Sequence, residues 1–229
     1  MAPVEEEQRA PYDPMPHGQP EVGVGPWEGP WPEGAHWDPD LLRDGDRRNV
    51  VDRYRYWTLE AIVADLDTRR HDFHVAIENW QHDFNIGTIV RTANAFLAAE
   101  VHIVGHRRWN RRGAMVTDRY QHVRHHPDAA ALAAYLHGLE GPPVRLLGID
   151  NLPGSEHLET MELPRRVCFL FGQEGPGLSA GAREVCDGTF SIAQFGSTRS
   201  INASAAAAVA MHGWIRTYAD LSGEDAWRG

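Results

Sequence analysis

The sequence predicts an α/β protein: a mainly parallel sheet with helices on both faces. Three observations carry that expectation. Apolar runs at 144–149 and 167–171 lack the apolar–polar alternation of a half-solvated strand, which is how strands covered on both faces read. Such runs alternate along the chain with segments of helical period, the pattern of strand–helix–strand crossovers. Each run also ends in a glycine or polar turn, where sheets of this class hold their ligands. With 229 residues, 42% hydrophobic and 24% charged, the chain is long enough for one domain with a real core and an appendage.

Taken in order, residues 1–40 hold nine of the fifteen prolines and five glycines around Trp27, Trp31 and Trp37. Proline interruption and low aliphatic content argue against regular structure, so this stretch reads as an extended arm. Its tryptophans would dock on the body or on a partner subunit. We set the arm at 1–50 and the folded domain at 51–229. Leu59, Ile62, Val63 and Leu66 behind Thr58 predict a helix over 58–70. Phe73, Val75 and Ile77 alternate as a strand. Ile86, Ile89, Val90, Ala93 and Leu97 stripe a helix over 86–99, and 101–104 is a short apolar strand. Pro127 opens a helix that reaches about residue 139. Strands at 144–149 and 167–171, a short helix at 179–185 and a strand at 189–192 follow. The alanine-rich stretch 201–218 closes the chain as a helix able to pack closely. The loops after residues 79, 104, 149, 171 and 192 are then the ones that face a ligand.

Taken whole, the formal charge of −10 argues against a nucleic-acid partner. Its distribution does not. Residues 1–40 carry nine acidic groups against Arg9 alone, which leaves only −2 for residues 41–229. All 22 basic residues are arginine. Between His102 and His126, Arg107, Arg108, Arg111, Arg112, Arg119 and Arg124 face Asp118 alone, with Trp109 and Tyr120 interleaved. That is the composition of a phosphate-and-base surface, or of a solvated loop. No run reaches the roughly 18 apolar residues of a membrane helix, and the N-terminus is acidic and proline-broken. Cys168 and Cys186 are too few for a disulfide framework or a cysteine-rich zinc site, so a reducing cytoplasm is expected. His102 and His106 are separated by a strand, while His122, His125 and His126 lack an accompanying carboxylate pair. All read as loop and surface groups, and no metal is expected.

Three segments sit at strand ends: Asn85-Ile-Gly-Thr-Ile-Val-Arg91, Phe171-Gly-Gln-Glu-Gly-Pro-Gly-Leu-Ser179, and Ser200-Ile-Asn-Ala-Ser204. Singly, each has a bland reading. Asn85, Ser179, Ser200 and Asn202 could cap helices, and Arg91 could be an exposed helix residue. The phosphate-loop alternatives fail, since there is no lysine for a Walker loop and no G-x-G-x-x-G. Gly177-Leu-Ser179-Ala-Gly181 does match G-x-S-x-G, with Asp187 and His212 following in hydrolase order. A nucleophile elbow needs its serine on the turn directly after the strand, and here six residues intervene after Gly172. Ser179 therefore reads as a helix cap, and a serine hydrolase is the remote alternative.

Together the three segments resemble the sequence motifs of the SpoU (TrmH) family of RNA ribose 2′-O-methyltransferases, in the SPOUT superfamily. NIGTIVRTANAF, FGQEGPGLS and SINAS match in order and spacing, and the resemblance covers about residues 71–219. It implies a sheet with a C-terminal trefoil knot around residues 172–178 and 194–201, and a homodimer whose site is completed across the interface. It implies S-adenosylmethionine as cofactor, held at Ile149, Gly172, Ile192, Ser200 and Ile201, with no metal. The catalytic positions it implies are Arg91, as general base or as phosphate clamp, with Asn85, Glu174, Ser200 and Asn202. Glu174 and Asn202 would orient Arg91 and the knotted loops, and Asn85 would help hold Arg91 or the substrate. The substrate implied is tRNA or rRNA. An RNA-binding protein of this fold without turnover is the alternative. Two departures stand out. The arm replaces the N-terminal RNA-binding domain many relatives carry, so recognition falls to the arginine strip. Leu97 also stands where glycine commonly follows Ala-Phe.

Overall fold

The computed structural model describes residues 23–81 and 84–222. Packing divides the chain into Met1–Ala61 and Ile62–Gly229, so the division falls later than the 50/51 boundary expected from composition. The expected extended arm is corrected over its described residues 23–50, which fold together with 51–61; 1–22 lie outside the described residues. Helix α1 (Pro39–Asp44) starts on a proline and is capped by Asp38, whose carboxylate accepts from the Asp40 and Leu41 N–H groups. Trp27 packs edge-on against Tyr56 at 5.4 Å and tilted against Trp37 at 5.9 Å, and Trp37 meets Trp57 edge-on. Large rings bury enough apolar area to build a small core without long regular elements. The tryptophans Trp27 and Trp37 thus dock on neighbours within their own unit, whereas Trp31 is exposed. Asp46 is fully buried there. Burial pushes its carboxyl up, but the Arg48 guanidinium at 2.7 Å and the Tyr56 N–H at 2.9 Å outweigh that and hold it below the usual carboxylate range. Helix α2 (Leu59–Asp67), predicted at 58–70, begins in this unit and ends in the next.

In Ile62–Gly229, β1 (Phe73–Asn79) leads through α3 (Asn85–Ala95) to β2 (Val101–Gly105). The chain continues through β3 (Val123–His126), α4 (Ala129–His137), β4 (Arg145–Ile149), β5 (Glu156–His157) and β6 (Val167–Phe171). It closes with α5 (Ala180–Val185), β7 (Gly188–Ser191) and α6 (Ala203–Tyr218). The seven strands are all parallel, in the order β3-β2-β1-β6-β4-β7-β5. One face carries Phe73, Val75, Ile77, Phe169 and Phe171 against Ile86, Ile89 and Val90 of α3 and Ala207, Met211 and Trp214 of α6. The other carries Ala76, Val104, Leu146 and Leu170 against Leu132 and Leu136 of α4 and Ala182 of α5. Helices therefore cover both faces of a parallel sheet, as predicted.

Two edge strands escape the sequence. β3 lies within the stretch read as an arginine loop, because Arg124 and His125 are exposed at the sheet's edge and leave no apolar run. The histidines need a second correction. Of those read as surface groups, His102 is fully buried and His126 nearly so, lined up with the buried His74 under α4. Among the described residues no helix is long and apolar enough to cross a membrane.

Candidate active site

A cleft of about 190 Å³ opens at the carboxyl ends of β4 and β6. Ile149 and Phe171, the last residues of those strands, form its floor with Gly172. Glu174, Ile192, Ser200, Ile201 and Asn202 complete the wall. All five residues expected to bind the cofactor line it.

Backbone crossing explains the glycine of the second motif. A Cβ on Gly172 would lie 2.1 Å from the Gly177 carbonyl carbon and 2.2 Å from the Leu178 nitrogen, so no side chain fits between these strands of the loop. The loop is pinned from beneath. The Asp150 carboxylate accepts from the Leu178 N–H at 2.8 Å, and Glu78 accepts from the Ser179 N–H at 2.8 Å and from Trp80 Nε1 at 2.9 Å.

The three motifs meet through side-chain amides. Asn85 Nδ2 donates to Glu174 at 3.0 Å, and its Oδ1 accepts from Asn202 Nδ2 at 2.8 Å. Asn202 caps α6 with its own Oδ1, which accepts from the Ser204 and Ala205 N–H groups. Asn202 therefore caps α6, as the sequence allowed, and also cross-links to Asn85. Asn85 does not cap α3; it lies inside the first turn, buried, with its side chain spent on the other two motifs.

Arg91 is the exception. It is exposed on α3, does not line the cleft, and makes no hydrogen bond or ion pair among the described residues. Within one chain Glu174 and Asn202 hold Asn85, and neither bonds Arg91. The arginine strip is also divided. Arg107, Arg108, Arg112 and Arg119 are exposed and free of ion pairs among the described residues. Arg111 bonds Asp118 at 3.1 Å and lies over the Trp109 ring. Arg124 belongs to β3, where it binds Glu100 and stacks on Tyr135.

Sequence reasoning missed Asp150, Gln173, Gln194 and Glu78. Glu78 had a legible signal, a carboxylate inside a strand that is buried along its whole length. The hydrolase alternative finds no triad. The Ser179 hydroxyl caps α5 by accepting from the Ala182 N–H, Asp187 accepts from the Leu146 N–H, and neither bonds His212.

The family model described as "SpoU rRNA Methylase family" matches residues 72–212. The chain belongs to this family. Among the relatives of this SpoU-family chain is the Escherichia coli K12 tRNA (guanosine(18)-2′-O)-methyltransferase, 27% identical over 154 residues, 66% of either chain. The Bordetella pertussis 23S rRNA (guanosine-2′-O-)-methyltransferase RlmB is 33% identical over 85 residues, 37% of this chain and 34% of its own. Among solved structures, the Streptomyces viridochromogenes SpoU methyltransferase AviRb, in complex with the cofactor AdoMet, aligns with a TM-score of 0.58 at 26% identity. That alignment covers 67% of this chain and 60% of AviRb. The A. aeolicus TrmH/SpoU tRNA modifying enzyme shares the fold at TM-score 0.59 and 17% identity, over 69% of this chain and 81% of that one. The SpoU-family chain thus spans just under two thirds of the E. coli relative and less of AviRb.

Proposed function

We propose that this protein transfers a methyl group from S-adenosylmethionine to a ribose 2′-hydroxyl of tRNA or rRNA. The observation that carries the proposal is the Glu174–Asn85–Asn202 cross-link, which ties all three motif segments together at one cleft on the carboxyl edge of a parallel sheet. The cleft's residues suit the cofactor. Ile149, Ile192 and Ile201 offer apolar walls for a purine, and Gly172 lies in the lining beside them. Gln194 Oε1 is a buried acceptor in the lining without a partner among the described residues. When bound, S-adenosylmethionine supplies an already activated methyl group to an oxygen nucleophile.

The protein's own part is to hold both reactants. Asn85, Glu174 and Asn202 fix the loops, Ser200 lines the cleft, and Arg91 is assigned the substrate phosphate. A guanidinium is a planar fork of N–H donors that matches a phosphate, so the clamp is favoured over the general base and the hydroxyl's proton passes to the substrate phosphate. Arg91 lies outside the lining of its own cleft, which suits a cytoplasmic homodimer whose site the partner subunit completes. The knotted path of residues 172–178 and 194–201 belongs to the same reading.

The test incubates the full chain with methyl-labelled S-adenosylmethionine and RNA, then digests the RNA to nucleosides. Label in a 2′-O-methyl nucleoside is expected. Arg91→Ala should keep cofactor affinity by calorimetry and lose about 100-fold or more in turnover. RNA binding without cofactor uptake would overturn the reading in favour of a binding protein.

A further inference from the structure

On the sheet face beneath α4, remote in function from the cleft, two neighbouring strands bring together side chains that the methyl-transfer reading does not use. His74 is the second residue of β1, Glu100 directly precedes β2, and His102 is the second residue of β2. In the parallel register Val75 pairs with Val101 and Ala76 with His102, so His74 and Glu100 are neighbours across the strands and His102 stands diagonally beside them. We propose that His74, Glu100 and His102 form a binding site for a divalent transition-metal ion of the zinc class.

The geometry argues it. His74 Nδ1 lies 3.0 Å from His102 Nε2, and Glu100 Oε2 lies 3.8 and 3.9 Å from these two nitrogens. Three atoms so spaced share a point about 2.1 Å from each, the length of a zinc–imidazole or zinc–carboxylate bond. The ion would replace the His74–His102 hydrogen bond with two bonds to metal. Two imidazoles and one carboxylate select zinc, cobalt or nickel over magnesium or calcium, which prefer all-oxygen sets.

Surrounding groups hold these ligands as an outer shell does. The second nitrogen of His102, Nδ1, is 3.0 Å from His126 Nε2, which fixes the ring. The Tyr135 hydroxyl donates to Glu100 Oε2 at 2.7 Å, and Arg124 takes the other carboxylate oxygen at 2.5 Å. His74 and Glu100 stand at the amino ends of their strands, whereas the cleft lies at carboxyl ends. The ion would therefore clamp β1, β2 and, through Tyr135, α4.

The experiment uses the untagged full chain, stripped with a chelator and titrated with Co(II) alone. No RNA or S-adenosylmethionine is present, so its result is independent of the proposed methyl transfer. One Co(II) per chain is expected, with visible absorption that stoichiometric Zn(II) abolishes and a thermal midpoint raised by either metal. Glu100→Gln and His74→Gln should each weaken Co(II) binding by about tenfold or more. Tyr135→Phe leaves every ligand in place and should weaken it by about tenfold, deciding the matter if a ligand variant fails to fold. Absence of stoichiometric uptake would overturn the site, as would equal uptake by wild type and by folded Tyr135→Phe and His74→Gln proteins.

Discussion

Leu97 has φ +53, left-handed backbone that disfavours any residue with a Cβ. It closes the turn after α3, where its N–H bonds the Asn94 carbonyl and its own carbonyl accepts from the His71 N–H. The glycine common in related motifs would sit there without strain, so the departure visible in the sequence is a conformational cost, not a packing detail. Leu97→Gly should raise stability by about 1 kcal/mol, or roughly 2–4 °C in thermal midpoint, less whatever the half-buried side chain contributes. A lowered midpoint would show that packing outweighs strain. At Gly172 the sign reverses. Gly172→Ala puts a methyl group into backbone atoms 2.1 Å away, so S-adenosylmethionine affinity measured by calorimetry should fall by more than tenfold. Unchanged affinity would mean that the loop relaxes freely.

Among the elements, α3 shows how one helix serves both core and site. Its first turn offers Asn85 to the motif cross-link, and Gly87 meets the 3-10 turn Arg111–Ala114, where a Cβ would lie 2.7 Å from the Ala114 nitrogen. That contact seats the arginine-bearing loop against the first motif. Met115 and Val116, both exposed, follow in left-handed conformation, so the loop holds its shape at a cost in strain. Replacing Arg107, Arg108, Arg111 and Arg112 together by glutamine should weaken RNA binding and flatten its dependence on salt, since fewer counterions are released. Filter binding across a salt series reads both; an unaltered slope would make the loop ordinary surface. Arg124 is left out because Glu100 and Tyr135 already engage it.

For the molecule as a whole, the buried imidazoles set a pH dependence. Burial, more than any neighbouring charge, drives His74 down to about 4, and lowers His102 and His126 from the ordinary value. The folded state therefore binds fewer protons than the unfolded chain below about pH 6.5, so their contribution is complete above that value and is lost as pH falls. In metal-free buffer the urea midpoint should drop between about pH 7.5 and about pH 5.5, a range in which carboxylates scarcely titrate. Each titrating imidazole contributes up to about 1.4 kcal/mol per pH unit. A flat profile would show the histidines to be accessible to protons in the fold.

The sequence by itself determined the class of fold, the five inner strands and the three motif segments. Those features are local: apolar runs, helical period and glycine positions act on neighbouring residues along the chain. The five positions it assigned to the cofactor line one cleft. Only the tertiary structure decided what distant residues do to one another. It turned a proline-rich arm into an aromatic-centred unit, bonded Glu174 to Asn85, moved Arg124 to a strand edge and buried His102 between His74 and His126. Each depends on strand register or on rings packing across tens of residues, and periodicity along the chain carries no information about such pairings.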